Sequence, residues 1–141
     1  MKWLLWSVGI VAVFSVAFLG WQCLGRESGD VLEKPDLIRI ASIHKGQIVH
    51  SPLVIKGEAR GYWFFEASFP VHLTDAAGNP IAVAIAQAES EWMTEDFVPF
   101  RAELVFDEPE ADYGILTFKK DNPSGLPEHD DELQTMVRFR D

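Results

Sequence analysis

With 141 residues, of which 22 are Asp or Glu and only 12 Lys or Arg, the chain has room for one modest folded domain and carries a formal charge of -10. A surface of that sign repels phosphate backbones and anionic headgroups, which argues against nucleic acid as a partner and leaves neutral sugars, basic protein patches and divalent cations. The single cysteine, Cys23, falls in an apolar N-terminal run, so the folded part has no thiol for a disulfide, a metal site or nucleophilic chemistry.

From Trp3 to Gly25, 23 successive positions carry no charge. As a helix they would span about 34 Å at about 1.5 Å per residue, enough for a hydrocarbon core of about 30 Å. Residues 1–25 are therefore predicted to form a transmembrane anchor, with Trp3 and Trp6 at one interface and Trp21 at the other. Lys2 and the amino terminus favour the cytoplasm, which puts the remainder on the outer side of the cell membrane as a single-pass protein. Cleavage after Ser15-Val16-Ala17 and acylation of Cys23 are the alternatives. The apolar run continues past the first site to Leu24, and Gly20-Trp21-Gln22 is a poor match to the small-residue box that the second requires. Residues 26–35, polar and holding Gly29 and Pro35, read as a linker. Lys2, Arg26 and Lys34 balance Glu27, Asp30 and Glu33, so the whole net charge belongs to a domain over 36–141.

That domain opens with the short alternation Ile38-Arg39-Ile40, and Gly46 to Val49 is predicted to be a second short strand on the same edge. Leu53, Ile55, Gly57 and Ala59 define a strand from Pro52 to Arg60 that runs through Gly61 into the longest alternation of the chain. There, from Trp63 to Leu73, every odd position is apolar and the even side carries Glu66, Ser68, Pro70 and His72, the period-2 pattern of a half-buried strand. Asp75 to Pro80 closes a hairpin in which Gly78 and Asn79 tolerate positive φ. Ile81, Val83 and Ile85 then alternate with Ala82, Ala84 and Ala86; the alanines would also allow a helix, but β-branched residues at alternate positions right after a turn favour a strand. Val98, Phe100, Ala102 and Leu104 mark another strand, followed by an acidic loop over 107–112. Gly114, Leu116 and Phe118 mark the next, and Leu133, Thr135, Val137 and Phe139 the last. Seven or eight short strands with no credible helix among them predict an all-β, two-sheet sandwich preceded by the one transmembrane helix.

Four blocks in order carry a resemblance: Gly46 to Gly57; Trp63-Phe64-Phe65-Glu66-Ala67; Trp92-Met93-Thr94 with Phe97-Val98-Pro99-Phe100; and Asp121-Asn122-Pro123-Ser124-Gly125. Together they resemble the immunoglobulin-like domain of bacterial spore germination, the domain found beside the GerMN (germane) domain. The resemblance covers nearly all of 36–141. It implies an immunoglobulin-like sandwich in a bacterial envelope protein with a role in binding or assembly rather than catalysis.

Residue by residue, the chemistry agrees with a non-enzyme. Asp107, Glu108, Glu110 and Asp112 form one carboxylate-rich loop and Glu128, Asp130, Asp131 and Glu132 another, but neither has calcium-loop spacing, and solvated turns are the commoner outcome. The four histidines are scattered without zinc spacing. Ser124 sits in turn chemistry that Asn122 is expected to cap, and Tyr113 is placed for a tyrosine-corner-like hydrogen bond. No nucleophile has a base beside it, and no cofactor or metal is expected. The candidate binding residues are aromatic. Trp92, in a polar loop between Glu91 and Met93, either anchors a protein partner, stacks on a sugar or folds back to plug the sandwich. Tyr62 and Phe64 flank the core residue Trp63 and would extend an aromatic patch. The expected function is a membrane-anchored extracytoplasmic module that binds an envelope protein, with a cell-wall glycan module built on Trp92 and Tyr62 as the alternative.

Overall fold

The computed structural model describes residues 34–141. The transmembrane helix expected over 1–25 and most of the linker expected over 26–35 lie outside the described residues, among which no helix is long and apolar enough to cross a membrane. Seven strands follow in order: β1 (Ile38–Ile40), β2 (Leu53–Arg60), β3 (Ser68–Asp75), β4 (Pro80–Ala88), β5 (Phe97–Leu104), β6 (Tyr113–Lys119) and β7 (Glu132–Arg138). Short 3₁₀ turns at Gly61–Trp63 and Pro127–His129 are the only helical pieces among the described residues. The strands hydrogen-bond in the order β1-β2-β5-β4-β3-β6-β7, and every neighbouring pair is antiparallel.

One sheet in its hydrogen bonds, the structure is a sandwich in its packing, because β4 and β5 pair only through Gln87 with Arg101 and Ala88 with Phe100. On one side of that narrow seam lie β1, β2 and β5; on the other, β4, β3, β6 and β7. The two layers meet again at their far edges. Gly46 N–H donates to the Met136 carbonyl at 2.7 Å, Arg138 N–H to Gln47 at 2.8 Å and Val49 N–H to Arg138 at 2.8 Å, giving a parallel bridge between Ile48 and Arg138. Residues 46–49 therefore extend the β7 edge, on the opposite layer from β1, and not the β1 edge that local alternation suggests. Which sheet a short strand joins is decided by the path of the chain between the layers, and its own pattern carries no record of that.

The alternations over β2, β5, β6 and β7 fall where periodicity puts them, with Leu53, Ile55 and Ala59, Val98, Phe100, Ala102 and Leu104, Leu116 and Phe118, and Leu133 and Val137 all buried. The longest alternation does not form one strand. Glu66 (φ 48°) and Ala67 (φ 62°) occupy the left-handed region in a tight two-residue turn, closed by Phe65 N–H to the Ser68 carbonyl at 3.0 Å and by the reverse bond at 3.1 Å. The turn resets the register: Trp63 and Phe64 are both buried, Phe65 is exposed, and only from Phe69 onward do the odd positions face the core.

β4 is the strand expected after the hairpin, and with both of its faces apolar the alternation alone does not say which one is buried. Ala84 and Ala86 point inward while Val83 and Ile85 are exposed. The cause is packing from both flanks. Phe69 on β3 lies opposite Ala86, Phe100 on β5 lies opposite Ala88, and their rings meet edge to face with centroids 4.9 Å apart. Two phenylalanines closing over β4 leave room beneath for methyl groups only. Truncating Phe69, which is fully buried and also touches Phe64 at 5.2 Å, is expected to cost about 3–5 kcal/mol in chemical denaturation of Phe69→Ala.

At the β3–β4 hairpin Gly78 takes φ 87°, as the turn requires, and Asp75 organises the rest. Its carboxylate accepts from the backbone of Ala77 at 2.9 Å, from the backbone of Asn79 at 2.8 Å and from Asn79 Nδ2 at 2.8 Å. These donors, the Asn79 side chain foremost, hold the Asp75 pKa below its ordinary 3.8. Because the folded state keeps its carboxylate charged where the unfolded chain already binds a proton, this contribution is complete above pH 3.8 and is lost as the pH falls below it toward the lowered value. Asp75→Asn is accordingly expected to be less stable than the parent at neutral pH, with the gap closing below pH 3.8 in parallel denaturation series.

Candidate functional site

Three loops gather at one end of the sandwich: residues 61–67 between β2 and β3, residues 89–96 between β4 and β5, and residues 120–131 between β6 and β7. Backbone bonds tie them together. Gly61 N–H donates to the Asp96 carbonyl at 3.1 Å, and Asp121 N–H donates to the Trp63 carbonyl at 3.1 Å. At Gly61 the contact between the first two loops is so close that a Cβ would sit 1.9 Å from the Thr94 oxygen and 2.3 Å from the Trp92 oxygen. Only glycine allows that approach. The second loop is kept tight by Met93 N–H to Glu91 Oε1 at 3.0 Å and Asp96 N–H to Thr94 Oγ1 at 3.1 Å. In the third, Asn122 Nδ2 donates to the Leu126 carbonyl and to Asp130 Oδ1, both at 2.8 Å, so Asn122 braces this loop as its position in the sequence suggests.

The predicted aromatic residues divide among three environments. Tyr62 is exposed on the first loop. Trp92 is half-buried and packed against the core, with its backbone held against Gly61, so the ring closes the sandwich end more than it projects from it. Phe64, expected to extend a surface patch, is instead buried with its ring edge on Phe69. The tight turn at Glu66-Ala67 is what swings it inward, and its neighbour Phe65 takes the outer position. Trp63 is fully buried as expected, and its indole Nε1 has no hydrogen-bond partner among the described residues.

Periodicity gives no hint of three further apolar residues at this end. Among the described residues eight large hydrophobic side chains are exposed, and four of them, Tyr62, Phe65, Met93 and Leu126, lie on these three loops. Met93 is 74% exposed. The available signal was an isolated apolar residue within polar, turn-forming sequence, as at Leu126 between Gly125 and Pro127. Beside this end, the Arg39 and Arg60 guanidiniums lie 3.9 and 4.0 Å from the centre of the Phe97 ring, and Arg60 also donates to the carbonyls of Asp36 at 2.9 Å and Glu95 at 3.3 Å.

Three carboxylates of the acidic loops have structural partners. Asp131 is ion-paired with Lys34, Asp130 accepts from Asn122, and at the opposite end Asp112 lies 3.7 Å from Arg140 Nε. Among the described residues no three His, Cys, Asp or Glu side chains converge. Tyr113 is exposed at the start of β6 rather than tucked into a corner.

The fold and the site together define an immunoglobulin-like sandwich that displays apolar residues on the loops at one end. Residues 37–125 match the Gmad2 family, described as the immunoglobulin-like domain of bacterial spore germination, and the chain belongs to that family. The matched span includes β1 to β6 and the start of the third loop; β7 lies beyond it. No curated protein and no solved structure matches the chain significantly. Family membership suggests a binding or assembly module.

Because the atoms nearest a Cβ at Gly61 are backbone carbonyls, Gly61→Ala has no side chain to push aside. It is expected to destabilise the domain by about 3 kcal/mol or more, read by thermal or chemical denaturation.

Proposed function

We propose that the protein is a non-catalytic, membrane-anchored module outside the cytoplasmic membrane that binds an envelope protein through its three-loop end. The observation that carries this reading is the gathering of Tyr62, Phe65, Met93 and Leu126 on loops locked to one another by backbone bonds. Large side chains on a pre-ordered surface bind with little ordering cost, and aromatic anchors of this kind dominate protein interfaces. A glycan platform, the alternative, needs open ring faces. Trp92 packs its ring against the core and Phe64 is buried, which leaves Tyr62 and Phe65 and favours a protein partner over a sugar.

The path of the chain adds a constraint. Lys34 is joined to Asp131 and the Asp36 carbonyl accepts from Arg60, so the chain enters the domain at this same end. With Lys34 already held on the domain, the part of the linker over 26–33 reaches at most about 29 Å when fully extended. On the anchored reading the loops stay within that distance of the membrane surface, and the partner is a membrane protein or one held close to the membrane.

A photoreactive residue at position 93, in cells carrying the full-length chain, is expected to yield a discrete protein adduct, whereas one at the equally exposed Val105 on the opposite end is not. Tyr62→Ala should weaken the captured complex by about 2 kcal/mol. Protease added to intact cells, or to spheroplasts where an outer membrane is present, should remove the domain and spare a tag placed before Met1. Equal adducts from both positions, or retention on purified cell-wall glycan that Tyr62→Ala abolishes, would overturn the reading.

A further inference from the structure

We propose that two copies of this chain join through the open edge of β4, forming a two-fold dimer whose sheet continues from one copy into the other. The bond pattern defines the edge. Ala88 N–H turns toward β3 and bonds the Ala67 carbonyl at 2.8 Å, while Glu89 N–H turns toward β5 and bonds Pro99 at 2.8 Å. Since backbone groups alternate in direction along an antiparallel strand, Ile85 and Val83 aim their N–H and C=O groups at the β5 side. Pairing with β5 ends at Gln87 and Arg101, so these groups face an open edge. A row of unpaired backbone groups is completed by another extended strand.

That the strand comes from a second copy follows from what β4 presents. β4 is the one strand among the described residues with no charged side chain, in a chain of net charge -10. Two copies that meet through this strand bring no like charges face to face. The facing edge of β5, by contrast, carries Glu103. The regular part of the open edge, Ala82-Val83-Ala84-Ile85-Ala86, has the same chemistry in both directions, with small inward residues and β-branched outward ones. About a two-fold axis residue i of one copy meets j of the other and j meets i, and in this segment that sets small residues opposite small ones and β-branched residues opposite β-branched ones. With the axis at Ala84, Val83 of one copy lies opposite Ile85 of the other. These two, 56% and 50% exposed, become cross-strand β-branched pairs. The register slip between Leu73 and Thr74 displaces Ile81 and marks where the regular edge ends.

This inference is independent of the loop-end partner and of the location of the chain. It is tested on the full-length chain in detergent solution, with Cys23→Ser to remove the native thiol. Differently tagged copies bearing Val83→Cys or Ile85→Cys are mixed and mildly oxidised, because residues paired across strands at about 5.5 Å between Cα atoms lie within disulfide reach. The expected product is a mixed-tag species of twice the 15.9 kDa chain mass, formed severalfold faster than dimers of a Val105→Cys control. Val83→Lys, a change an exposed edge position tolerates, should abolish the mixed disulfide when placed in the Ile85→Cys copy, with the β-sheet circular dichroism intact. Crosslinking at 83–85 no faster than at Val105, or crosslinking that Val83→Lys leaves unchanged, overturns the proposal.

Discussion

The contact on which the fold depends is the meeting of Phe69 and Phe100 over the alanines of β4. Among the described residues, strand pairing joins the two layers through two residue pairs at the β4–β5 seam and one bridge at the far edges, with a few single backbone bonds beside them. What keeps the layers in register is side-chain packing, and Phe64, Phe69 and Phe100 form a continuous series of edge-to-face ring contacts from the loop end into the core. Much else follows from that series. It fixes Ala84 and Ala86 as inward residues, sends Val83 and Ile85 outward, and explains why Phe64 is unavailable to a partner.

How much of this was legible in the sequence depended on whether a pattern was local. Val98 to Leu104 and Leu133 to Phe139 alternate without interruption, and their faces were readable because each strand meets one apolar layer. In β4 both faces are apolar, so periodicity identifies a strand but does not choose its inner side. The choice is made by the volume of Phe69 and Phe100, which lie far away in sequence. The segment Trp63 to Leu73 misleads for a different reason. A two-residue turn is ordinarily announced by Gly or Asn, whereas here Glu66 and Ala67 occupy positive φ without either. Positive φ in such residues is costly and is retained only where the surroundings enforce it. That it occurs at the loop end, beside Tyr62 and Phe65, ties the strain to the surface where binding is proposed.

The candidate site was legible in its parts and illegible as a whole. Trp92 and Tyr62 stand out singly by residue type, and Gly61 stands out as a break between strands. That Gly61 lets the loop carrying Met93 lie against the loop carrying Tyr62 is a tertiary fact, since the two are joined only once β2 and β5 have paired along their length. Likewise Leu126 reaches this end because β6 and β7 pair from Tyr113 with Arg138 to Lys119 with Glu132, which fixes where their connection must lie.

The two proposed surfaces constrain each other. An antiparallel pairing of β4 edges has its two-fold axis perpendicular to the sheet, so the loop ends of the two copies point in opposite directions. The chain enters each domain at its loop end, through Lys34 and Asp36, so the two entry points also lie at opposite ends of the dimer. If the proposed anchors hold both copies in one membrane, the axis stands along the membrane normal, with the joined sheet lying parallel to the bilayer. In that posture each linker has only to reach from the membrane to its own end of the flat-lying sheet. In it the apolar loops face sideways along the membrane. A partner would dock at each end of the dimer, and the assembly would extend laterally rather than away from the cell.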